Sequence, residues 1–198
     1  MFRLSMVLTL TAGAVILAGC NSKPSSPPGK AESAETKASA PATGSDPQAS
    51  ALSAAPASIA KDAAVIVIIP DGTMKSLRAG TNGFTCMPDN SATPGPDPMC
   101  MDGNAMKWAE AWIGRKTPPM DNVGLMYMLT GGTDASNTDP YGTKPADGSD
   151  WVKTGPHVMV VGSESLNRQY PGGETPDTTK PYVMFGGSPY AHVMIPIG

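Results

Sequence analysis

The sequence predicts an α+β domain that is mostly β, with six or seven short strands in a sandwich or a small sheet and one main helix at about 103–113. Three observations predict this class. Short apolar runs lie between turn-forming residues, which is typical of strands. Only one segment has clear helical periodicity. The strands do not alternate with helices, as they would in a parallel βαβ fold.

The predicted strands are apolar runs that stop at glycine or proline. Residues 63–69 are a β-branched run that ends at Pro70, and residues 123–130 are a second apolar run. Residues 181–185 and 190–195 are separated by Gly-Gly-Ser-Pro, a spacing that favours a hairpin. The remaining predicted strands are 75–79, 83–87 and one that follows Gly155-Pro156 within residues 151–161.

The predicted helix follows Asp102, whose side chain is suited to cap a helix N-terminus. Gly114 and the following prolines, Pro118 and Pro119, predict its end. The apolar residues recur at helical spacing and therefore share one face. They are Ala105, Trp108, Ala109 and Trp112.

The amino terminus has the layout of an export signal. Arg3 precedes an apolar run over residues 4–17, which is shorter than the roughly 20 apolar residues that a membrane-spanning helix needs. The next motif, Leu17-Ala18-Gly19-Cys20, resembles the lipobox of bacterial lipoproteins. That resemblance implies removal of residues 1–19 as a signal peptide and lipidation of Cys20, which would anchor the chain to a membrane. In enteric-type lipoprotein sorting, Asp after the cysteine resembles a retention signal for the inner membrane. The resemblance therefore implies that Asn21 directs the chain to the outer membrane, facing the periplasm.

Composition divides the exported chain into a tether and a domain. Residues 20–57 are rich in Ala, Ser and Pro and contain one large aliphatic residue, Leu52. Such a segment buries too little apolar surface to offset the entropy of ordering, so we expect a lipidated, disordered tether. Residues 58–198 have the length and composition of a single globular domain.

The charges argue against one class of partner, and the cysteines predict a disulfide. The net charge is −3 and no basic cluster occurs, so nucleic acid is not an expected partner. Assigning Cys20 to lipid leaves Cys86 and Cys100 as an even pair in an oxidising compartment, which predicts a disulfide. The rival is a metal thiolate pair, which would need two further ligands and lacks the CxxC spacing of many such sites.

The two histidines of the chain lie in similar His-Val-Met triplets on predicted strands. Alternation places His157 with Met159, and His192 with Met194, on one face of each strand. If the strands were neighbours in the same register, these four side chains would converge into a soft site for copper. The alternative is that they are sheet residues, because Met commonly fills gaps in cores. The oxygen-rich loop 134–139 offers a calcium alternative, although it lacks the glycine and the closing Glu of an EF-hand.

No nucleophile or dinucleotide motif is complete, and no cofactor is required by the sequence, copper being the possible one. The blocks 80–89 and 97–100 resemble exported bacterial proteins that have no assigned activity, so this resemblance implies no mechanism. We therefore expect a non-enzymatic envelope lipoprotein whose partner, besides the membrane, is an envelope protein or a small ligand bound through loops. Copper binding and a small hydrolase are the alternatives. The loop aromatics that invite a binding role are Tyr141, Trp151, Tyr170 and Tyr190.

Overall fold

Ten strands and four helices form the part of the chain that a computed structural model describes, residues 46–120 and 122–198. The helices are α1 (Pro47–Leu52), α2 (Ala57–Ala60), α3 (Gly103–Ile113) and α4 (Glu164–Asn167). The strands are β1 (Ala64–Ile68), β2 (Met74–Arg78), β3 (Thr85–Met87), β4 (Met99–Met101), β5 (Gly124–Met128), β6 (Gly132–Asp134), β7 (Val152–Thr154), β8 (His157–Val161), β9 (Tyr182–Met184) and β10 (His192–Pro196).

Eight strands form one mixed sheet in the order β2-β1-β3-β4-β5-β8-β10-β9, and β6 pairs with β7 in a small second sheet. Only the pair β1–β3 is parallel among the described strands. The fold is thus mostly β, as expected, but eight strands share one sheet instead of dividing into a sandwich. The strand number exceeds the prediction because the prediction lacks β4, β6 and β7, which have three residues each.

The predicted helix and hairpin are both present. Helix α3 spans Gly103–Ile113, and the Asp102 carboxylate accepts hydrogen bonds from the backbone N–H groups of Asn104 and Ala105. The same carboxylate accepts from the backbone N–H of Leu125 at 3.0 Å, which ties the start of the helix to β5. Strands β9 and β10 pair antiparallel.

One face of the large sheet packs against α1 and carries the disulfide. Cys86 and Cys100 face each other on β3 and β4 and are bonded, with an S–S distance of 2.03 Å. Both are fully buried, in a cluster that includes Ala51, Ala54 and Val65. The disulfide therefore lies in the core of this face and closes the loop between the two strands. In the chain-entropy model, a disulfide that closes a loop of this size stabilises the folded state by about 3 kcal/mol.

The domain begins upstream of the predicted boundary at residue 58. Ala51 and Ala54 are 0% exposed, and the backbone N–H of Leu129 donates to the Ala54 carbonyl at 3.0 Å. Residues 46–57, assigned from composition to the tether, are thus part of the domain, because small alanines pack closely where the backbone approaches the sheet. The rest of the expected tether and the export signal lie outside the described residues. Within the described ranges, no helix has the length and apolar character needed to cross a bilayer.

Helix α3 covers the opposite face of the sheet and contacts it most closely at a glycine. A Cβ atom added to Gly124 of β5 would overlap the backbone nitrogen of Ala105 in α3 and lie 2.7 Å from its Cα. Such an overlap is relieved only by moving the helix. The absence of a side chain at this position therefore sets how close α3 comes to the sheet.

We predict that Gly124→Ala lowers the free energy of unfolding by about 2 kcal/mol, because overpacking at a close backbone contact strains the core. Denaturant unfolding monitored by tryptophan fluorescence measures this change. Gly103→Ala, in the helix that Gly124 contacts, is the control, because a Cβ there meets no atom within 4 Å. Equal stability of Gly124→Ala and the wild type would contradict this account of the contact.

Candidate functional site

Methionines from four neighbouring strands align across the face that α3 covers. Met126 of β5 pairs with Met101 of β4 and with Met159 of β8. Met159 pairs in turn with Met194 of β10. Residues in register on neighbouring strands project to the same side of a sheet. The four thioethers therefore form one continuous row.

Both histidines lie on this same face, beside further methionines. Met128 pairs with His157, and His192 pairs with Met184. Met99 of β4 shares the face because it lies two residues from Met101. The face thus combines thioethers with two imidazoles, whereas the opposite face carries the disulfide and a cluster of valines.

A cavity of about 780 Å³, which we call the methionine cavity, lies above this face. Trp108 and Ala109 of α3 form one side, and the loop closed by the disulfide forms another. The cavity extends from exposed residues Asn90 and Ser91 to His192, which is 1% exposed, so it connects the surface with the core. Seven methionines line it: Met87, Met99, Met126, Met128, Met159, Met184 and Met194.

The four residues predicted as a copper site are brought to one face but not to one point. Strands β8 and β10 are neighbours, yet they run antiparallel, so Met159 faces Met194 while His157 faces Pro196. At about 3.4 Å per residue, His157 and His192 are separated by roughly 14 Å along the strands. The register therefore places the two methionines side by side and leaves the two histidines four residues out of register. His192 lines the methionine cavity, and His157 is not among its lining residues.

The two imidazoles have the same hydrogen-bonding arrangement. Nδ1 of His157 is 2.7 Å from the Gly155 carbonyl oxygen, and Nδ1 of His192 is 2.9 Å from the Tyr190 carbonyl oxygen. A carbonyl only accepts, so Nδ1 carries the proton and Nε2 bears a lone pair in each neutral ring. Neither Nε2 has a hydrogen-bond partner within the described part of the chain. Burial lowers the pKa of both rings, that of His192 to about 4, so the neutral form prevails at neutral pH.

Two carboxyl groups line the cavity on the side of the small sheet. Asp97 accepts a hydrogen bond from the backbone N–H of Thr133 at 2.6 Å, which fastens the disulfide-closed loop to β6. Burial is the main reason that the pKa of Asp97 is raised. Burial, followed by the charge of Asp97, raises the pKa of Asp134 to about 7. Sequence reasoning placed Asp134 in an oxygen-rich loop and did not connect it with Asp97.

Two of the four predicted loop aromatics, Tyr141 and Tyr190, pack against the aromatic side chains of α3. Tyr190 is buried and meets Trp108 edge to face, with ring centroids 6.3 Å apart. Tyr141 stacks on Trp112, and the Arg115 guanidinium lies 3.9 Å from the centre of the Tyr141 ring. These rings close the end of α3, so their evident role is packing.

No family model, curated protein or solved structure matches the chain. A function for it therefore rests on the chemistry of its side chains. Among the residues that the structure describes, no group of three or more His, Cys, Asp or Glu side chains is placed to hold a metal ion. In loop 134–139, the Ser136 hydroxyl instead accepts from the backbone N–H groups of Thr138 and Asp139, forming a local turn.

We predict that Asp134→Asn changes how stability depends on pH. Folding raises the pKa of Asp134 from its ordinary value of 3.8 to about 7, so its stabilising contribution is present at low pH and is lost as the pH rises through about 7. As the pH rises from 3.8 to about 7, the free energy of unfolding of the wild type should therefore fall relative to that of Asp134→Asn, by up to about 1.4 kcal/mol per pH unit.

Urea unfolding at constant ionic strength measures the difference at each pH. The histidines act in the opposite direction, because their lowered pKa makes stability fall as the pH drops below 6.5. They are present in both proteins and cancel in the comparison. Asp150→Asn, in an exposed loop, is the control and should leave the pH dependence unchanged. A difference between wild type and Asp134→Asn that does not vary with pH would refute the prediction.

Proposed function

We propose that this protein is a lipid-anchored, non-enzymatic binding protein of the cell envelope that holds a small ligand in the methionine cavity. The observation that carries the proposal is the cavity itself, about 780 Å³ in volume and continuous from exposed residues to buried His192. Small-molecule sites are typically concave, mostly apolar and about 300–1,000 Å³, with a few polar groups that orient the ligand. Here the polar groups include the His192 imidazole and the carboxyls of Asp89, Asp97 and Asp134.

The lining suits binding to a ligand of variable shape. Methionine is unbranched and polarizable, so its side chain adapts to different partners more readily than Leu or Ile. Seven such side chains line one cavity. The methionine side chains can therefore adapt to a ligand, while the sheet and the disulfide fix the position of the backbone.

The arrangement of the polar groups favours binding over hydrolysis. Each histidine donates its Nδ1 proton to a backbone carbonyl, not to a carboxylate, and in the described residues neither Nε2 contacts a hydroxyl. A nucleophile activated by histidine needs both contacts. Cys86 and Cys100 are joined in the disulfide and supply no thiolate.

Anchoring through Cys20 is part of the proposal and is supported by the lipobox-like motif at residues 17–20. The proposed location is the outer membrane, with the domain facing the periplasm. An envelope protein is a possible second partner, and the net charge of −3 offers no footprint for nucleic acid.

We predict that the mature protein begins at Cys20 and carries diacylglycerol on its thiol. Two or more acyl chains anchor a protein stably, whereas one does so only marginally. Mass spectrometry of the protein extracted from membranes reports the lipid directly. Cys20→Ser should abolish acylation, and an unmodified thiol on the wild-type chain would contradict the anchor.

We predict that the full-length protein, held in lipid nanodiscs, binds indole in the methionine cavity. With ¹³C-methyl-labelled methionine, the signals of Met126, Met159 and Met194 should shift saturably as indole is added, while that of Met74 on β2 stays unchanged. Signals are assigned by single Met→Leu variants. Indole is small and apolar enough for a cavity of about 780 Å³.

Ala109→Phe tests whether the cavity is the site. Ala109 lines the cavity from α3, so a phenyl ring there should occupy the space and weaken indole binding by at least about tenfold. Ala111→Phe places the same ring on the same helix away from the cavity and should leave binding unchanged. Absence of saturable shifts, or equal effects of the two variants, would overturn the proposed site.

A further inference from the structure

The buried end of the methionine cavity presents a nitrogen lone pair with no partner. The Tyr190 carbonyl receives the Nδ1 proton of His192, which leaves Nε2 as a lone-pair donor. His192 is 1% exposed, and its Nε2 makes no hydrogen bond within the described residues. Metal-ligating histidines commonly donate their second ring N–H to a backbone carbonyl, which fixes the tautomer and aims the lone pair. The ring is thus already held in the form that binds a metal.

Three methionines lie near His192 on the same face of the sheet. Met184 lies directly across from His192 on β9, and Met194 lies two residues further along β10. Directly paired residues on neighbouring strands have Cβ atoms about 4.5–5.5 Å apart. Met159 of β8 is paired with Met194 of β10, and all three methionines line the cavity with His192. The three rotatable bonds of methionine allow its sulfur to adjust to a common centre.

The donor set determines which metal suits the site. Both ligand types are neutral: the thioether is soft and selects Cu(I), and imidazole is a borderline ligand that also suits copper, whereas ions such as Ca²⁺ and Mg²⁺ prefer oxygen. A monovalent ion adds only one charge to a buried site of neutral ligands, so its desolvation is less costly than that of a divalent ion. The Trp108 ring packs edge to face on the His192 ring, with centroids 5.2 Å apart, and helps to exclude water.

From these observations we infer that the protein binds one Cu(I) ion at the base of the methionine cavity, through Nε2 of His192 and the thioethers of Met184, Met194 and Met159. The inference rests on the proposed function, because it names the ligand class of the same cavity. The sequence alone suggested a copper site with two histidines, whereas the inferred site has one histidine and three methionines. His157, at the other end of the sheet face, is not a ligand.

The decisive experiment is anaerobic titration of the mature, acylated protein in nanodiscs with Cu(I), in competition with the chromophoric chelator bicinchoninate. One equivalent of Cu(I) should be withheld from the chelator. Acylation of Cys20, checked by mass, and the disulfide leave no thiolate in the chain to bind the ion. Copper-edge X-ray absorption of the complex should report both nitrogen and sulfur ligands.

Two buried histidines provide a matched pair of variants. His192→Phe should weaken Cu(I) binding by at least about tenfold, whereas His157→Phe should leave it within about twofold. Both rings are buried, and both donate Nδ1–H to the carbonyl two residues earlier, so the substitutions disturb folding to a similar degree. Retention of full affinity by folded His192→Phe, or equal loss in the two variants, would overturn the site.

Methionine variants decide the matter if His192→Phe does not fold. Met184→Leu and Met194→Leu each conserve volume and remove one thioether. Each should weaken Cu(I) binding several-fold, whereas Met101→Leu should not, because Met101 is equally buried in the methionine row but does not line the cavity. Unchanged affinity in both cavity variants would refute thioether ligation. Failure to bind Cu(I) while indole still shifts the cavity methionines would overturn the copper assignment and leave the proposed binding function standing.

Discussion

The register of the central antiparallel strands is the constraint on which the rest of this structure depends. Because side chains alternate along a strand, each pairing assigns a residue to one of two faces, and a shift by one residue would exchange the faces completely. The observed pairings β4–β5, β5–β8 and β8–β10 place every methionine of these strands on the face beneath α3. The same pairings direct Tyr127, Val158 and Val193 to the other side. One set of hydrogen bonds thus separates a thioether face from an aliphatic face that carries the disulfide.

Enclosure of the thioether face depends on four contacts between segments that are separated in the sequence. Gly124 lets α3 approach the sheet, and the Asp102 carboxylate holds the helix start against β5. Across the cavity, the disulfide fixes both ends of a proline-rich loop, and Asp97 joins that loop to β6. The large sheet therefore forms the base of the cavity, and α3 and the disulfide-closed loop form its sides. Rigid attachment of the walls is compatible with an adaptable lining, because the adaptability belongs to the methionine side chains.

The polar groups of the cavity share one electrostatic consequence of burial. Desolvation disfavours charge, so it lowers the pKa of His192 and raises that of Asp134, which drives both toward their neutral forms. For the imidazole, neutrality preserves a lone pair for a metal or a hydrogen-bond donor. For the carboxyl group, it limits the negative charge near the ligand. Both groups thereby offer polar atoms while limiting the charge that an apolar surrounding would oppose.

The sequence by itself determined the elements whose signals are local. Helix α3 was predictable because its cap, its apolar face and Gly114 all lie within one short segment, and the β9–β10 hairpin because its strands flank a short turn. The disulfide followed from cysteine parity. A further signal was present but not used: Met99-Cys100-Met101 and Met126-Tyr127-Met128 alternate with period two, like the His-Val-Met triplets. That alternation indicates strands with thioethers on one side.

Only the tertiary structure decided which strands are neighbours, that β8 and β10 are antiparallel, and hence that the histidines are apart. Strand order and direction depend on contacts between distant residues, and no local pattern encodes them. Small alanines likewise carry no clear burial signal, so residues 46–57 were recognisable as part of the domain only once they were packed against the sheet.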